Sequence, residues 1–164
     1  MTIQVGERLP PANFMTPSKD GPKPVSTDDV FAGKRVALFA VPGAFTPTCD
    51  ARHLPSYVER AAELKGKGVD EIVCTSSNDV FVLQAWNKAA GSDDITMLAD
   101  GNGAFAKAVG LDADLSKFGM GVRSKRYSMV VNDGVVESVN VEEGPGVDVS
   151  GADYMLTKLD FTPG

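Results

Sequence analysis

Arg35-Val36-Ala37-Leu38-Phe39-Ala40-Val41-Pro42-Gly43-Ala44-Phe45-Thr46-Pro47-Thr48-Cys49 is the stretch from which the fold can be read. The unbroken apolar run Val36–Val41 is the pattern of a strand buried on both faces, as in a central parallel sheet. Pro42 and Gly43 end it. Leu54, Tyr57, Val58, Ala61 and Leu64 then recur at helical spacing until Gly66 and Gly68 stop the helix. Pro55, inside this helix, removes a backbone donor and predicts a kink.

Working outward, Val69–Thr75 is expected to be the next strand. Asn78 is expected to cap a helix whose apolar face is Phe81, Val82, Ala85, Trp86 and Ala89. Ile95–Leu98 reads as a short strand and Gly103–Val109 as a short helix. Tyr127–Val131 and Val135–Val141 flank Asn132-Asp133-Gly134, a hairpin signal. Ala152–Leu159 reads as a closing helix. Upstream, the turn-rich segment Phe14–Val25 predicts a loop or a short edge hairpin, and Thr27–Phe31 a capped helical turn. Parallel βαβ units followed by a hairpin and a helix make an α/β, thioredoxin-like fold: a central mixed sheet flanked by helices, with an N-terminal extension. With 164 residues and no linker, residues 1–164 read as one domain.

Composition narrows the function classes. Apolar residues make up 43% and charged residues 23%, which excludes a largely disordered chain. The net charge of −6 disfavours nucleic acid and anionic lipid as partners. Arg123, Lys125 and Arg126 form too short a basic run to change this. Met1–Pro10 contains Glu7 and Arg8 and no apolar run, so neither a secretory signal nor a membrane span is expected there. Two cysteines, Cys49 and Cys74, are too few for a disulfide framework, and a reducing, cytoplasmic setting is expected.

Cys49 lies just beyond the carboxyl end of the buried strand, where ligands collect in open α/β sheets. With Thr46 as N-cap and Pro47 as the first helical residue, Cys49 falls in the first turn, facing free N–H groups and the positive helix end. Both favour a thiolate. Shifting a thiol from ~8.5 to ~6 takes roughly 3.4 kcal/mol. A helix end contributes about 0.3–1 kcal/mol, or ~2 when partly buried, so a second cation is needed, and Arg126 is the candidate. Ionisation alone does not make a fast nucleophile, because nucleophilicity falls with thiol basicity. Fixed donors aimed at a breaking O–O bond would supply the rest: the Thr46 hydroxyl, the Arg126 guanidinium, and the Gly43 and Cys49 amides. Pro42 has no donor and would shield the sulfur from water.

Pro42-Gly43-Ala44-Phe45-Thr46-Pro47-Thr48-Cys49 resembles the peroxiredoxin signature Pro-x-x-x-Thr-x-x-Cys, and the fuller string resembles the peroxiredoxin-5 (type II) branch. The resemblance extends through Ser77-Asn78-Asp79 and Arg123-Ser124-Lys125-Arg126-Tyr127-Ser128-Met129-Val130. It implies a thiol peroxidase that reduces hydrogen peroxide and alkyl hydroperoxides. Cys49 would be the peroxidatic cysteine, Thr46 and Arg126 its partners and Pro42 its shield. Gly43, Phe45 and Phe118 would bind substrate, the two phenylalanines lining an apolar entrance. A homodimer meeting beside the active sites is also implied, and no cofactor. Gly144–Gly164 contains no cysteine of the kind used for internal resolution, so the Cys49 sulfenic acid would await glutathione with glutaredoxin, or thioredoxin. Asp50 departs from the neutral residue usual in the branch, and its side chain is expected to turn away from the sulfur.

Other residues carry plainer expectations. Cys74, among Ile72 and Val73, reads as core, as do Trp86 and the Phe81 stripe. His53 shares a helix face with Cys49, but zinc needs more ligands than the chain offers, so His53 reads as structural or as a dimer contact and no metal is expected. Gly101-Asn102-Gly103 reads as a plain turn. A disulfide oxidoreductase would need Cys-x-x-Cys, which is absent. The competing reading from another class is a non-catalytic redox sensor acting through oxidised Cys49.

Overall fold

In the computed structural model, which describes residues 2–144 and 146–160, the run from Arg35 is the strand β3 (Arg35–Ala40). The strands before it are β1 (Asn13–Thr16) and β2 (Lys23–Ser26). Those after it are β4 (Glu71–Ser76), β5 (Ile95–Ala99), β6 (Asp112–Asp114), β7 (Val122–Ser124), β8 (Tyr127–Asn132) and β9 (Val135–Val141). Seven of them form one sheet in the order β2-β1-β5-β4-β3-β8-β9. β3 pairs parallel with β4 and antiparallel with β8. The sheet is therefore mixed, and β3 sits inside it. Met1 and residues 161–164, the ends of the expected domain, lie outside the described residues.

Burial along β3 follows the two-residue period of a strand. Ala37, Phe39 and Val41 enter one core, with Leu54, Tyr57, Leu64, Trp86 and Met155. Val36, Leu38 and Ala40 enter a second core on the opposite face, with Phe14, Phe31, Phe105 and Met129. A strand with two covered faces has no polar side to write, hence the unbroken apolar run.

The helices are α1 (Thr27–Phe31), α2 (Leu54–Gly66), α3 (Val80–Ala90), α4 (Ala104–Ala108) and α5 (Ala152–Asp160). Ser26 and Asp29 close a capping box on α1. α2 buries Leu54, Tyr57, Ala61 and Leu64 as its spacing predicts, whereas Val58, expected on the same face, is exposed. Before it, Cys49–His53 forms a turn of π-helix in which the Leu54 amide donates to the Cys49 carbonyl. Pro55 follows immediately, so the wider turn accommodates the proline where a kink was expected.

α3 departs from the sequence reading. Its cap is Asp79, whose carboxylate accepts from the Val82 amide at 2.9 Å. The helix buries Val80, Leu83 and Trp86, while Phe81 is 66% exposed and Ala85 and Ala89 are also exposed. An aspartate directly before the first helical residue satisfies an orphan amide and suits the positive helix end. The buried stripe is thus Val80, Leu83 and Trp86, with Val82 packed partly against the core. Asn78 is freed for another task. The small antiparallel pair β6–β7, which the sequence reading lacks, carries Leu115–Gly121 between its strands. Among the described residues, no helix is long and apolar enough to cross a membrane.

Candidate active site

The loop after β3 is a tight turn. Thr46 donates twice to the Gly43 carbonyl, through its amide at 3.4 Å and its hydroxyl at 2.7 Å. Phe45 sits at φ 62°, the left-handed region that non-glycine residues rarely occupy. Asn78 Oδ1 holds the turn by accepting from the Ala44 amide at 2.8 Å and from the Ser76 hydroxyl at 2.7 Å. Gly43 is packed closely: a Cβ there would lie 3.1 Å from Thr46 Cγ2 and 3.2 Å from Met120 Cε.

Helical hydrogen bonding begins at once. The Asp50 amide donates to the Thr46 carbonyl at 2.9 Å, which makes Thr46 the cap residue and puts Cys49 in the first turn, as its spacing predicts. Because the Thr46 hydroxyl donates to Gly43, its lone pairs remain as acceptors. The Asp50 carboxylate turns to the Trp86 indole, accepting from Nε1 at 2.9 Å, and so leaves the sulfur.

Arg126 arrives from just before the start of β8, the strand beside β3. In the β3–β8 register Ala40 faces Tyr127, so the residue before β8 lands beside the loop that follows β3. Its Nη2 donates to Cys49 Sγ at 3.1 Å and its Nη1 to His53 Nδ1 at 3.0 Å. Both bonds favour negative charge on the sulfur, one directly and one by fixing the guanidinium. With Nδ1 accepting, the imidazole proton is on Nε2, which donates to the Ser150 carbonyl at 3.0 Å.

His53 is fully buried within its own chain, so the dimer-contact reading fails. Burial, and then the Arg126 charge, push its pKa down to about 3. The unfolded chain takes up this proton near ~6.5, whereas the folded one does so only near 3. Stability from this group is therefore full above ~6.5 and is lost as pH falls toward 3. Urea melts at pH 7 and pH 4.5 are expected to show a smaller acid loss for His53→Asn than for the native chain. An equal loss in both would remove His53 from the account.

A cavity of about 950 Å³ opens on this cluster. Pro42, Thr46, Pro47 and Arg126 form its inner wall, with Leu115, Phe118, Met120 and Val141 adding apolar surface and Lys125, Glu142 and Glu143 a polar rim. Cys49 itself is fully buried behind this wall. Phe118, 68% exposed, is on the wall as expected. Phe45 is not: its left-handed backbone throws the ring outward, toward Trp86 at 6.5 Å between centroids. Gly43 lies under Met120 and close to Arg123 rather than on the wall. Cys74 is buried in β4, and burial raises its thiol pKa well above the ordinary range. Sequence reasoning missed the role of Asn78 and the contact between His53 and Arg126. The i, i+4 spacing of Cys49 and His53 was the available signal for the latter.

A buried cysteine in the first turn of the helix after a central strand, gripped by an arginine from the loop that leads into the neighbouring strand, defines a thiol-based redox enzyme on a thioredoxin-like sheet. The Redoxin family model matches residues 4–156. The chain is 45% identical to the chloroplastic peroxiredoxin-2E of Arabidopsis thaliana, over 96% of this chain and 70% of the relative. It is 43% identical to peroxiredoxin-2B of the same plant, over 96% and 98%. Among solved structures, reduced Prx3 of Vibrio vulnificus in complex with hydrogen peroxide superposes with a TM-score of 0.93 at 47% identity, over 96% of this chain and 99% of that one. Peroxiredoxin 5 of Alvinella pompejana gives 0.85 at 33% identity, over 96% and 98%.

The chain belongs to the peroxiredoxin family, within its peroxiredoxin-5-like branch. It is a thiol-dependent peroxidase, and these relatives do not favour a purely non-catalytic sensor.

Proposed function

We propose that Cys49 is the peroxidatic residue of a one-cysteine cycle, with Thr46 and Arg126 as the groups that bind the peroxide and its transition state and Pro42 as a shield. The observation that carries this is the 3.1 Å bond from Arg126 Nη2 to Cys49 Sγ at the wall of the cavity. The thiolate attacks one peroxide oxygen. The S–O bond forms as the O–O bond breaks, and the departing oxygen leaves as water or an alcohol once protonated. The guanidinium and the Cys49 amide can follow the charge as it moves from sulfur to oxygen, and the Thr46 hydroxyl, whose proton goes to the Gly43 carbonyl, accepts from the peroxide O–H. The apolar stretch Leu115, Phe118, Met120 and Val141 suits the carbon chain of an alkyl hydroperoxide.

The sulfenic acid is then resolved by an external thiol: glutathione with glutaredoxin, or thioredoxin. That thiol attacks sulfur and releases water, and a second thiol frees Cys49 from the mixed disulfide. Two observations support an outside reductant. Cys74 is held as a thiol in the core, and no cysteine follows it. Because Cys49 is fully buried, a bulky thiol reaches it when the turn around residues 47–53 opens locally. Two free thiols also fit a reducing compartment such as the cytoplasm.

Peroxide turnover measured with glutathione plus glutaredoxin, and separately with thioredoxin plus its reductase, is expected to proceed in at least one arm. Failure of both would remove the external-thiol cycle. A homodimer near the site would cover the exposed apolar side chains Phe45, close to Cys49 in sequence, and Phe118, on the cavity wall. Sedimentation of the reduced protein is expected to give a dimer mass. A monomer at high micromolar concentration would overturn it.

A further inference from the structure

The Arg126 guanidinium needs more than a sulfur to hold it. It reaches the site from a loop, and its two terminal nitrogens are spent on two partners, Cys49 and His53. His53 is tied in turn. Its Nε2–H donates to the Ser150 carbonyl, which also accepts from the Tyr57 hydroxyl at 2.7 Å. The Ser150 amide and hydroxyl donate to the Glu142 carboxylate at 2.8 and 2.6 Å, and the Asp148 amide does so at 2.7 Å. The Glu142 amide closes the circuit, donating to the Arg126 carbonyl at 3.0 Å. Arg126 is thus held by its side chain and its backbone through one ring of contacts: Arg126, His53, Ser150, Glu142.

We infer that His53 is a positioning residue for the peroxidase reaction: it presents Nδ1 to Arg126 Nη1 so that Nη2 points at the Cys49 sulfur, and the segment around Ser150, anchored by Glu142, fixes that imidazole. The argument rests on the proposed role of Arg126. A guanidinium has five donors in a planar fork. Fixing one arm fixes the plane, and the other arm then reaches the sulfur and the peroxide without reorganising. The i, i+4 spacing of Cys49 and His53 puts both acceptors on one face of the turn, so a single planar group spans them. A histidine serves here because one ring accepts on Nδ1 while donating on Nε2. Phe39, 5.0 Å away between ring centroids, and Tyr57 hold the ring from the side.

The role predicts which step of the cycle responds. His53→Leu removes the acceptor for Arg126 and is expected to slow oxidation of Cys49 by hydrogen peroxide, in single-turnover stopped flow, by ~10–100-fold. Reaction of the preformed sulfenic acid with dithiothreitol is expected to change little. His53→Asn keeps an acceptor near Nδ1 and should recover most of the lost rate. In an Arg126→Met background, His53→Leu should slow oxidation no further, because the two residues act as a unit. Multiplicative loss in the double variant would mean that His53 acts by packing alone, and the inference fails. It also fails if His53→Asn is as slow as His53→Leu, or if both oxidise at the native rate.

Should His53→Leu not fold, Glu142→Gln weakens the hold on Ser150 from a partly exposed position and is expected to slow the same step by a few-fold. A native rate in Glu142→Gln would remove the Ser150 segment from the ring. If Arg126→Met itself oxidises at the native rate, it is the proposed role of Arg126 that falls, which separates the two failures.

Discussion

Cys49→Ser is expected to turn over no peroxide at any thiol concentration, whereas Cys74→Ala turns over at close to the native rate. A serine hydroxyl stays protonated and has no route to a sulfenic acid, so the first covalent step is lost outright. Cys74 differs by environment. It is fully buried in β4, paired with Phe39 on one side and Met97 on the other. Desolvation and then the charge on Cys49 keep its thiol protonated, and a protonated thiol is a poor nucleophile. Its removal leaves a small cavity, for which a stability loss of about 1 kcal/mol is expected. Steady-state assays with external thiol, paired with urea melts, check both halves. Complete loss of turnover in Cys74→Ala, with the fold intact, would make Cys74 the resolving residue and end the external-thiol scheme.

Arg126→Met is expected to slow oxidation of Cys49 by roughly 10²–10³-fold, the effect of removing a fixed donor from a charge-developing transition state. Methionine keeps much of the side-chain bulk, so the fall reports lost hydrogen bonds and charge rather than a hole. Arg126→Lys should restore only part of the rate. A single ammonium lacks the planar fork that meets Cys49 and His53 together. Trp86 provides the readout, because its indole donates to Asp50, the residue after the nucleophile. Fluorescence stopped flow with hydrogen peroxide then measures the step directly. A rate for Arg126→Met within a few-fold of native would mean that the bond to sulfur in the resting state has no counterpart in the reaction.

The parts of the fold legible in the chain were those where one local rule dominates. β3 could be read because a doubly covered strand has no polar face, and α2 because its apolar spacing and glycine stop agree. The β8–β9 hairpin could be read from Asn-Asp-Gly. Where two local rules competed, the reading slipped. Asn78 and Asp79 are both good caps, and only the carboxylate next to Val80 accepts from a helix amide, while Asn78 braces Ala44. The β6–β7 pair spans only three residues per strand, too short for periodicity to register. Phe45 was expected beside the substrate because it is apolar and close to Cys49. Its positive φ, a property of the Gly43–Thr46 turn, sends it elsewhere.

Taken alone, the amino-acid string determined the buried strand, the helix-start position of Cys49, and the pairing of residue types — cysteine, threonine, arginine — that thiol peroxidase chemistry calls for. These depend on neighbours in sequence, where hydrogen-bond periodicity and capping act. The tertiary structure alone decided what surrounds the sulfur: the strand register that delivers Arg126 across 77 residues, the neutral histidine wedged between that arginine and Ser150, and the distance of Phe45 from the cavity. Contacts of that kind are set by packing between elements far apart in the chain, and no local pattern encodes them.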